Sequence, residues 1–226
     1  RETAYTYATT KSGLTAVRDE LRVALGAGLN ASYGTFTELP FEVTGAVSVP
    51  DQAQFDPMDA VIALAEDASS AGADITEGIR ALGVRRRIRH VEVETEQGSL
   101  RGSRIVLATG TPILDRGAFF ARMEPMRSYA AAYEIDGDVP RGMYLSADSP
   151  SRSIRYAPTP NGDLLLVGGD DHVVGRESSP QAQVNDLDEW TATYFPGARR
   201  QHRWSAQDYG SIDALPYAGP LLPGDD

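Results

Sequence analysis

The chain has 226 residues, 41% of them hydrophobic, which is enough for one or two domains with a core. Its net charge of −11 argues against a nucleic-acid surface, and its lack of cysteine excludes disulfides, thiolate catalysis and an iron–sulfur cluster within these residues. Since no apolar run approaches the roughly 20 residues of a membrane helix and no signal peptide is visible, we expect a cytoplasmic protein without a membrane partner.

The first predicted element is an amphipathic helix over residues 14–25. Its apolar side chains recur at helical spacing, and they are Leu14, Val17, Leu21 and Leu25. Gly26 and Gly28 follow, and with Ala31 they come nearest in this chain to the G-x-G-x-x-G turn that binds dinucleotide phosphates. That fingerprint requires a preceding strand, whereas a helix precedes these glycines. We therefore interpret them as the end of the helix.

A second helix, a strand and a small meander are predicted over residues 56–104. Asp56 can cap the helix while Pro57 occupies its first turn, and Gly72 ends it. The apolar stripe of this helix consists of Val61, Ile62, Leu64, Ala65 and Ala68. Residues 73–77 resemble a strand, and residues 84–104 alternate in the manner of antiparallel strands.

The run Ile105-Val106-Leu107 predicts a strand that is covered on both faces, because it is apolar at consecutive positions. It ends at Ala108-Thr109-Gly110, and small residues at the carboxyl end of a strand allow a ligand to approach the backbone. The alternative is an ordinary buried strand that stops at a glycine.

The downstream half predicts a hairpin and a late helix. The hairpin joins residues 153–158 to 163–169 through a glycine turn, and the helix covers about residues 181–194. The histidines lie far apart in the sequence, which argues against a metal site. We therefore interpret Asp170-Asp171-His172 as a polar loop at the end of a strand.

Three segments carry a family resemblance, and a fourth resembles one branch of that family. The Ala108-Thr109-Gly110 strand resembles the "ATG" strand of two-dinucleotide-binding flavoproteins, and the hairpin resembles a "Y-x-x-P" strand followed by "L-L-x-G-G". Residues 213–220 resemble a "D-G-x-P-x-x-G" return toward a flavin ring. Together they resemble the D-amino-acid-oxidase-like (DAO) superfamily of FAD-dependent oxidoreductases. Residues 204–208 resemble its bacterial branch that often carries a C-terminal Rieske domain.

The resemblance implies an α/β plus α+β fold, with a partial Rossmann-like FAD/NAD(P)-binding domain interleaved with an antiparallel-sheet substrate domain. We expect substrate-domain segments at residues 1–50 and 118–209, and FAD-domain segments at 51–117 and 210–226. Because the phosphate-binding fingerprint is missing, we expect an internal fragment of a longer flavoprotein. FAD would be the cofactor of the parent and would be absent from the fragment, which we expect to be inactive alone.

The resemblance also implies site residues. The candidate FAD contacts are Ala108, Thr109, Gly110, Gly219 and Pro220. The candidate catalytic residues are Gln207 and Tyr209. The candidate substrate contacts are Tyr129, Tyr144, Arg155 and Trp204. Core packing is the alternative for the aromatic residues.

One departure from the family pattern bears on the substrate. Amine- and amino-acid-oxidising members usually place an arginine shortly before the "D-G-x-P" segment, and Tyr209 stands at that place here. Arg127, Arg152 and Arg155 lie on predicted strands and could supply the guanidinium instead, although solvated arginines are the alternative.

The predicted function is that of an FAD-dependent oxidoreductase. It would oxidise a C–H bond beside an amine or hydroxyl of a small molecule by hydride transfer to flavin, with an electron acceptor that the sequence does not identify. The alternative is a non-catalytic ligand- or partner-binding module that uses the antiparallel sheet.

Overall fold

A computed structural model describes residues 1–111, 116–176 and 179–220. The chain forms two compact units: unit 1 comprises Arg1–Gln54 with Pro125–Asp208, and unit 2 comprises Phe55–Glu124 with Tyr209–Asp226. Each unit is therefore built from two separate stretches of chain. No helix in the described part is long and apolar enough to cross a membrane.

The described residues contain eleven strands and three α-helices. The strands are β1 (Glu2–Ala8), β2 (Ser32–Gly34), β3 (Gly45–Gln52), β4 (Ala81–Arg86), β5 (Val91–Thr95), β6 (Gly98–Gly102), β7 (Met123–Glu134), β8 (Met143–Ser146), β9 (Arg152–Ala157), β10 (Leu164–Val173) and β11 (Arg199–Ser211). The helices are α1 (Lys11–Gly26), α2 (Pro57–Ser70) and α3 (Pro180–Tyr194). A 3₁₀ turn spans Arg116–Ala121.

Unit 1 is organised around an eight-stranded sheet in the order β11-β7-β10-β9-β8-β1-β3-β2. The strands β7, β10, β9 and β8 pair antiparallel, as predicted for the hairpin. The sheet is mixed, however, because β1 runs parallel to β8. Parallel neighbours require a long crossover between them, and here that crossover includes the Phe55–Glu124 stretch of unit 2. With the separate antiparallel sheet of unit 2, this confirms the predicted fold class.

The core of unit 1 lies between α3 and one face of the sheet. Apolar side chains at alternate strand positions point to this face, and they include Tyr7, Tyr129, Tyr133, Ile154, Leu165 and Val167. They pack against Val184 and Leu187 of α3 and against Phe195, which directly follows the helix. The helix α1 packs elsewhere, with Val17 against Ala8 of β1 and Val47 of β3.

The helix α1 begins three residues before the predicted start and ends at the predicted glycines. The Thr10 hydroxyl caps it by accepting a hydrogen bond from the Gly13 backbone N–H, at 3.1 Å. It ends at Gly26, and Gly28 adopts a φ of +79° just beyond. The two glycines therefore terminate a helix, which confirms that interpretation.

Unit 2 contains α2 and a three-stranded antiparallel sheet in the order β4-β5-β6, which confirms the predicted meander. Asp56 caps α2 by accepting from the Met58 N–H at 2.8 Å, with Pro57 in the first turn, as expected. The three large side chains of the apolar stripe of α2 are exposed, with Leu64 at 68%, whereas Ala65 and Ala68 are half-buried. No residue of α2 is buried.

Two predicted strands of unit 2 are wrong. Residues 73–77 form no strand. The run Ile105-Val106-Leu107 belongs to neither sheet of the described residues, and the Val106 side chain is 86% exposed. The apolar pattern identified a segment suited to a strand, but a strand also requires a neighbour whose N–H and C=O groups bond to it.

Candidate functional site

The sheet of unit 1 has an open face opposite the face that packs on α3. One row of directly paired residues crosses it, from Ala130 on β7 through Gly168 and Ser153 to Leu145 on β8. Neighbours of these four residues on the same strands are buried in the core. Because successive side chains of a strand point to opposite faces, the four residues point to the open face. Three are half-buried and Leu145 is 53% exposed. The row forms a surface of small side chains, which leaves room for a ligand.

A pocket of about 250 Å³ lies on this open face. Its lining residues are Ser128, Tyr129, Ala130, Leu145, Ser151, Ser153, Gly168, Gly169 and Asp171. The two glycines keep it open: a Cβ on Gly168 would lie 2.7 Å from the Ser153 Oγ, and a Cβ on Gly169 would lie 2.5 Å from the Ser151 carbonyl oxygen. Gly169 also has a φ of +154°, which side-chain-bearing residues rarely adopt.

A second pocket of about 340 Å³ shares Ser151 and Asp171 with the first. The rest of its lining is Asp148, Ser149, Pro150, Asp170, His172 and Gln183. Asp148 accepts hydrogen bonds from the backbone N–H and hydroxyl of both Thr9 and Thr10. These bonds hold the pKa of the Asp148 carboxyl below its usual range, although its partial burial works in the opposite direction.

The interpretation of Asp170-Asp171-His172 as a loop is wrong, because these residues lie within β10 at an irregularity in its pairing with β7. A buried arginine supports this part of β10, between the two pockets. The Arg152 side chain is 2% exposed, and its Nη2 lies 2.9 Å from Asp170 Oδ1 and also contacts Asp186 Oδ2. Its guanidinium carbon lies 6.0 Å from the ring centroid of Trp190. Burial raises the pKa of Asp170 to about 6; the charge of Arg152 lowers it in part and the nearby Asp186 carboxylate raises it.

Two of the predicted substrate contacts are core residues in this structure. Tyr129 is buried and stacks on His172, and its hydroxyl oxygen lies 3.1 Å from the His172 Nε2. Tyr144 stacks on Tyr5 at 4.6 Å and donates a hydrogen bond to Glu38, while burial raises its pKa. Core packing, the alternative in the sequence analysis, describes these contacts. A substrate role for the two tyrosines stays a prediction.

The three candidate arginines differ in what they contact. Arg152 is buried in its ion pairs, and Arg127 donates a hydrogen bond to the Ser205 hydroxyl at 3.0 Å. Arg155 is exposed, and within the described residues its guanidinium contacts no acidic or hydrogen-bonding partner. It lies two positions after Ser153 on β9, and therefore on the same open face. Trp204, the other predicted substrate contact, is on β11 and is 47% exposed.

The predicted flavin contacts belong to unit 2. Gly110 has a φ of +77°, and a Cβ built on it would lie 3.7 Å from the Tyr209 ring, so the structure brings Gly110 and Tyr209 together. Next to Gly110 along the chain, Thr109 donates its hydroxyl to the Thr111 carbonyl at 2.5 Å. Gly219 has a φ of +146°, and no heavy atom lies within 4 Å of the Cβ it lacks.

The remaining residues near the end of the chain have simpler surroundings. Gln207 is exposed on β11, and Pro220 is also exposed. Asp213 accepts a hydrogen bond from the Leu215 backbone N–H at 3.2 Å and holds its own turn, as expected for this residue type.

The Gly110 turn fits a flavin. Its backbone carries no side chain, its φ suits glycine, and the Tyr209 ring beside it is suited to contact with a planar ring system. A phosphate-binding turn between a strand and a helix is not formed by the described residues, since Gly26 and Gly28 end α1. The chain thus offers contacts for the ring end of FAD.

The sequence analysis did not identify all the residues of the pocket. The pocket residues Ser128, Ser151 and Ser153 were not predicted, because isolated serines on strands carry no distinctive pattern. Their alternation with buried residues could have identified the shared face once the pairing of the strands was known.

Comparisons with known proteins agree with this fold. The family model for FAD dependent oxidoreductases (DAO) matches residues 4–225. YhfW of Bacillus subtilis (strain 168), which is named as a Rieske 2Fe-2S iron-sulfur protein, is 27% identical over 224 residues, covering 99% of this chain and 44% of that protein. Its name agrees with the predicted Rieske-associated branch.

Solved structures show the same fold at low identity. Glycine oxidase from Geobacillus kaustophilus matches with a TM-score of 0.81 and 21% identity, over 99% of this chain and 63% of that one. L-proline dehydrogenase from P. horikoshii matches with a TM-score of 0.77 and 15% identity, over 98% and 64%. The chain thus spans less than half the length of the curated relative and less than two thirds of these structures. The match across residues 4–225 shows that this chain belongs to the DAO family of FAD-dependent oxidoreductases.

Proposed function

We propose that the chain is part of an oxidoreductase that oxidises a C–H bond beside an amine or hydroxyl of a small molecule. In this proposal unit 1 is the substrate domain and unit 2 is part of the FAD-binding domain. When bound, FAD supplies the chemistry by accepting the hydride. The residues of the chain bind the substrate, orient its C–H bond and limit the access of water.

The observation that carries this proposal is the exposed guanidinium of Arg155 on the open face of the sheet. Of the three arginines that could receive a substrate carboxylate, Arg152 is buried in ion pairs and Arg127 is bonded to Ser205. Arg155 has no acidic or hydrogen-bonding partner among the described residues, and its planar fork suits bidentate binding of a carboxylate. The similar structures named for glycine and L-proline support a carboxylate-bearing amine as substrate.

Residues of each unit near the end of the chain have further roles in this proposal. Gln207 and Tyr209 would orient the substrate by hydrogen bonds, and Trp204 would provide an apolar wall. Ala108, Thr109 and Gly110 would contact the flavin ring, and Gly219 and Pro220 would lie on the return toward it. An amide and a phenol are sufficient for orientation, because hydride transfer needs a positioned C–H bond more than a strong base.

The test is a comparison of Arg155→Met and Arg155→Lys in the full-length, FAD-loaded protein. For a carboxylate-bearing amine substrate, we expect Arg155→Met to raise KM about tenfold or more, which corresponds to about 1.4 kcal/mol for a lost charge-assisted contact. Arg155→Lys should recover part of this loss, because it restores the charge without the fork.

The matched control is Arg199→Met. It removes a guanidinium from another exposed position, where Arg199 pairs with Glu134 and Asp136. Its KM should stay within about twofold of wild type, since exposed ion pairs contribute little. Equal KM values for Arg155→Met and wild type would exclude Arg155 as the carboxylate-binding residue.

A further inference from the structure

Three polar groups without partners converge on the pocket of the open sheet face. The hydroxyls of Ser128 and Ser153 and the carboxylate of Asp171 line this pocket. Within the described residues, none of these side chains has a hydrogen bond or an ion pair. A few polar groups on the wall of a pocket fix the orientation of the ligand that it binds. They are therefore available to a ligand that offers complementary groups.

The charge around this pocket is unbalanced in favour of a cation. Three carboxyl groups line the pocket and its neighbour, those of Asp148, Asp170 and Asp171, and a fourth, Asp186, contacts Arg152 behind them. Thr9 and Thr10 bind the first of these, and Arg152 is shared by Asp170 and Asp186. Asp171 is the one left without a partner in the described part of the chain. It stands at the rim of both pockets, where it is exposed.

The surroundings favour an organic cation over a metal ion. The described residues contain no group of three or more acidic, histidine or cysteine side chains placed to hold a metal. Hard cations such as Ca²⁺ require about six to eight oxygen ligands, which one carboxylate and two hydroxyls cannot supply. An ammonium group needs fewer acceptors and forms a charge-assisted hydrogen bond with a single carboxylate.

We propose that this pocket binds a small hydroxylated amine, with its ammonium group on Asp171 and its hydroxyls on Ser128 and Ser153. This inference rests on the proposed function, because it names the substrate class of the same site. A volume of about 250 Å³ limits the ligand to a small molecule. Arg155, two positions from Ser153 on the same face, is placed to receive a carboxylate when the amine carries one.

The test is isothermal titration of the full-length protein with two probes of one carbon skeleton, 2-amino-1,3-propanediol and glycerol. Wild type should bind the amine about tenfold or more tightly than glycerol, from one charge-assisted contact. Asp171→Asn should abolish this preference, because it keeps the shape and removes the charge. Ser153→Ala should weaken the binding of both probes and keep the preference.

The matched control is Asp138→Asn, which removes an exposed carboxylate from a loop of the same unit that does not line the pocket. This variant should keep the wild-type preference, which excludes a general effect of net charge. Asp171→Glu, which retains the charge, should also keep it. Equal affinity of wild type for both probes, or a preference that persists in Asp171→Asn, would overturn the proposal.

Anaerobic bleaching of the flavin, measured separately, distinguishes this inference from the proposed function. If amines bleach the flavin while Asp171→Asn binds the probes as wild type does, the substrate-class inference fails alone. If the binding preference behaves as expected and no amine or alcohol bleaches the flavin, the oxidation fails and the binding site stands.

Discussion

In the proposed function, Gly110 would contact the flavin through its backbone alone. Gly110→Val should introduce strain at a φ of +77° and place a branched side chain against the Tyr209 ring. We expect a loss of about 1–3 kcal/mol from the strain, together with a lower ratio of flavin to protein in the full-length enzyme. Thermal unfolding and the flavin absorbance measure the two effects.

Gly72→Val is the matched control, because Gly72 has a φ of +93° and no heavy atom lies near the Cβ it lacks. It should reproduce the strain and leave the flavin content unchanged. If both variants lose flavin equally, Gly110 has only a structural role.

Asp170 should make part of the stability depend on pH. Its pKa is raised to about 6 in the folded protein, above the value of about 3.9 for an unfolded chain. The folded state therefore binds more protons between about pH 4 and 6, and the contribution of Asp170 to stability falls as the pH rises through this window. Asp170→Asn, which stays neutral, should gain thermal stability relative to wild type between pH 4 and 7.

The measurement is the difference in melting temperature between this variant and wild type at each pH. Asp138→Asn is the control, since Asp138 is exposed and lies outside this cluster. A difference that does not change with pH would show that Asp170 is already ionised throughout the window.

At the scale of elements, the cap of α2 allows a direct test. Asp56→Ala removes the acceptor for the Met58 N–H and should cost about 1 kcal/mol of helix stability. Hydrogen exchange in the first turns of α2 should then be about fivefold faster in the full-length protein, because about 1 kcal/mol raises the local opening equilibrium by about that factor. Glu66→Ala, in the same helix but away from the cap, should leave the exchange within about twofold of wild type.

Sequence alone predicted the elements whose signals are local. The glycine end of α1, the cap of α2, the meander and the hairpin each depend on residues close together in the chain, such as Asp56 with Pro57. The prediction of a strand at Ile105-Val106-Leu107 was wrong because strand formation also depends on a partner elsewhere in the chain. The open face and its serines depend on pairing between β7, β8, β9 and β10, which no single segment encodes.

At the scale of the whole molecule, we expect the 226-residue chain to be colourless after purification. Gly26 and Gly28 end a helix, so the described residues lack the turn that normally holds the FAD pyrophosphate. The absorbance near 450 nm, roughly the usual flavin maximum, measures this directly. Flavin bands in a one-to-one ratio with protein would contradict the expectation.

The parallel pairing of β1 with β8 has a consequence for biosynthesis. Ala4 lies beside Met143 in this sheet, although 139 residues separate them along the chain. A ribosome that adds about 5–20 residues per second needs on the order of 10 s to make that interval. Until then β1 has only β3 beside it, and its second edge is open to other chains. The growing polypeptide is therefore exposed to mispairing during translation, and chaperones that bind strand edges would matter most in that interval.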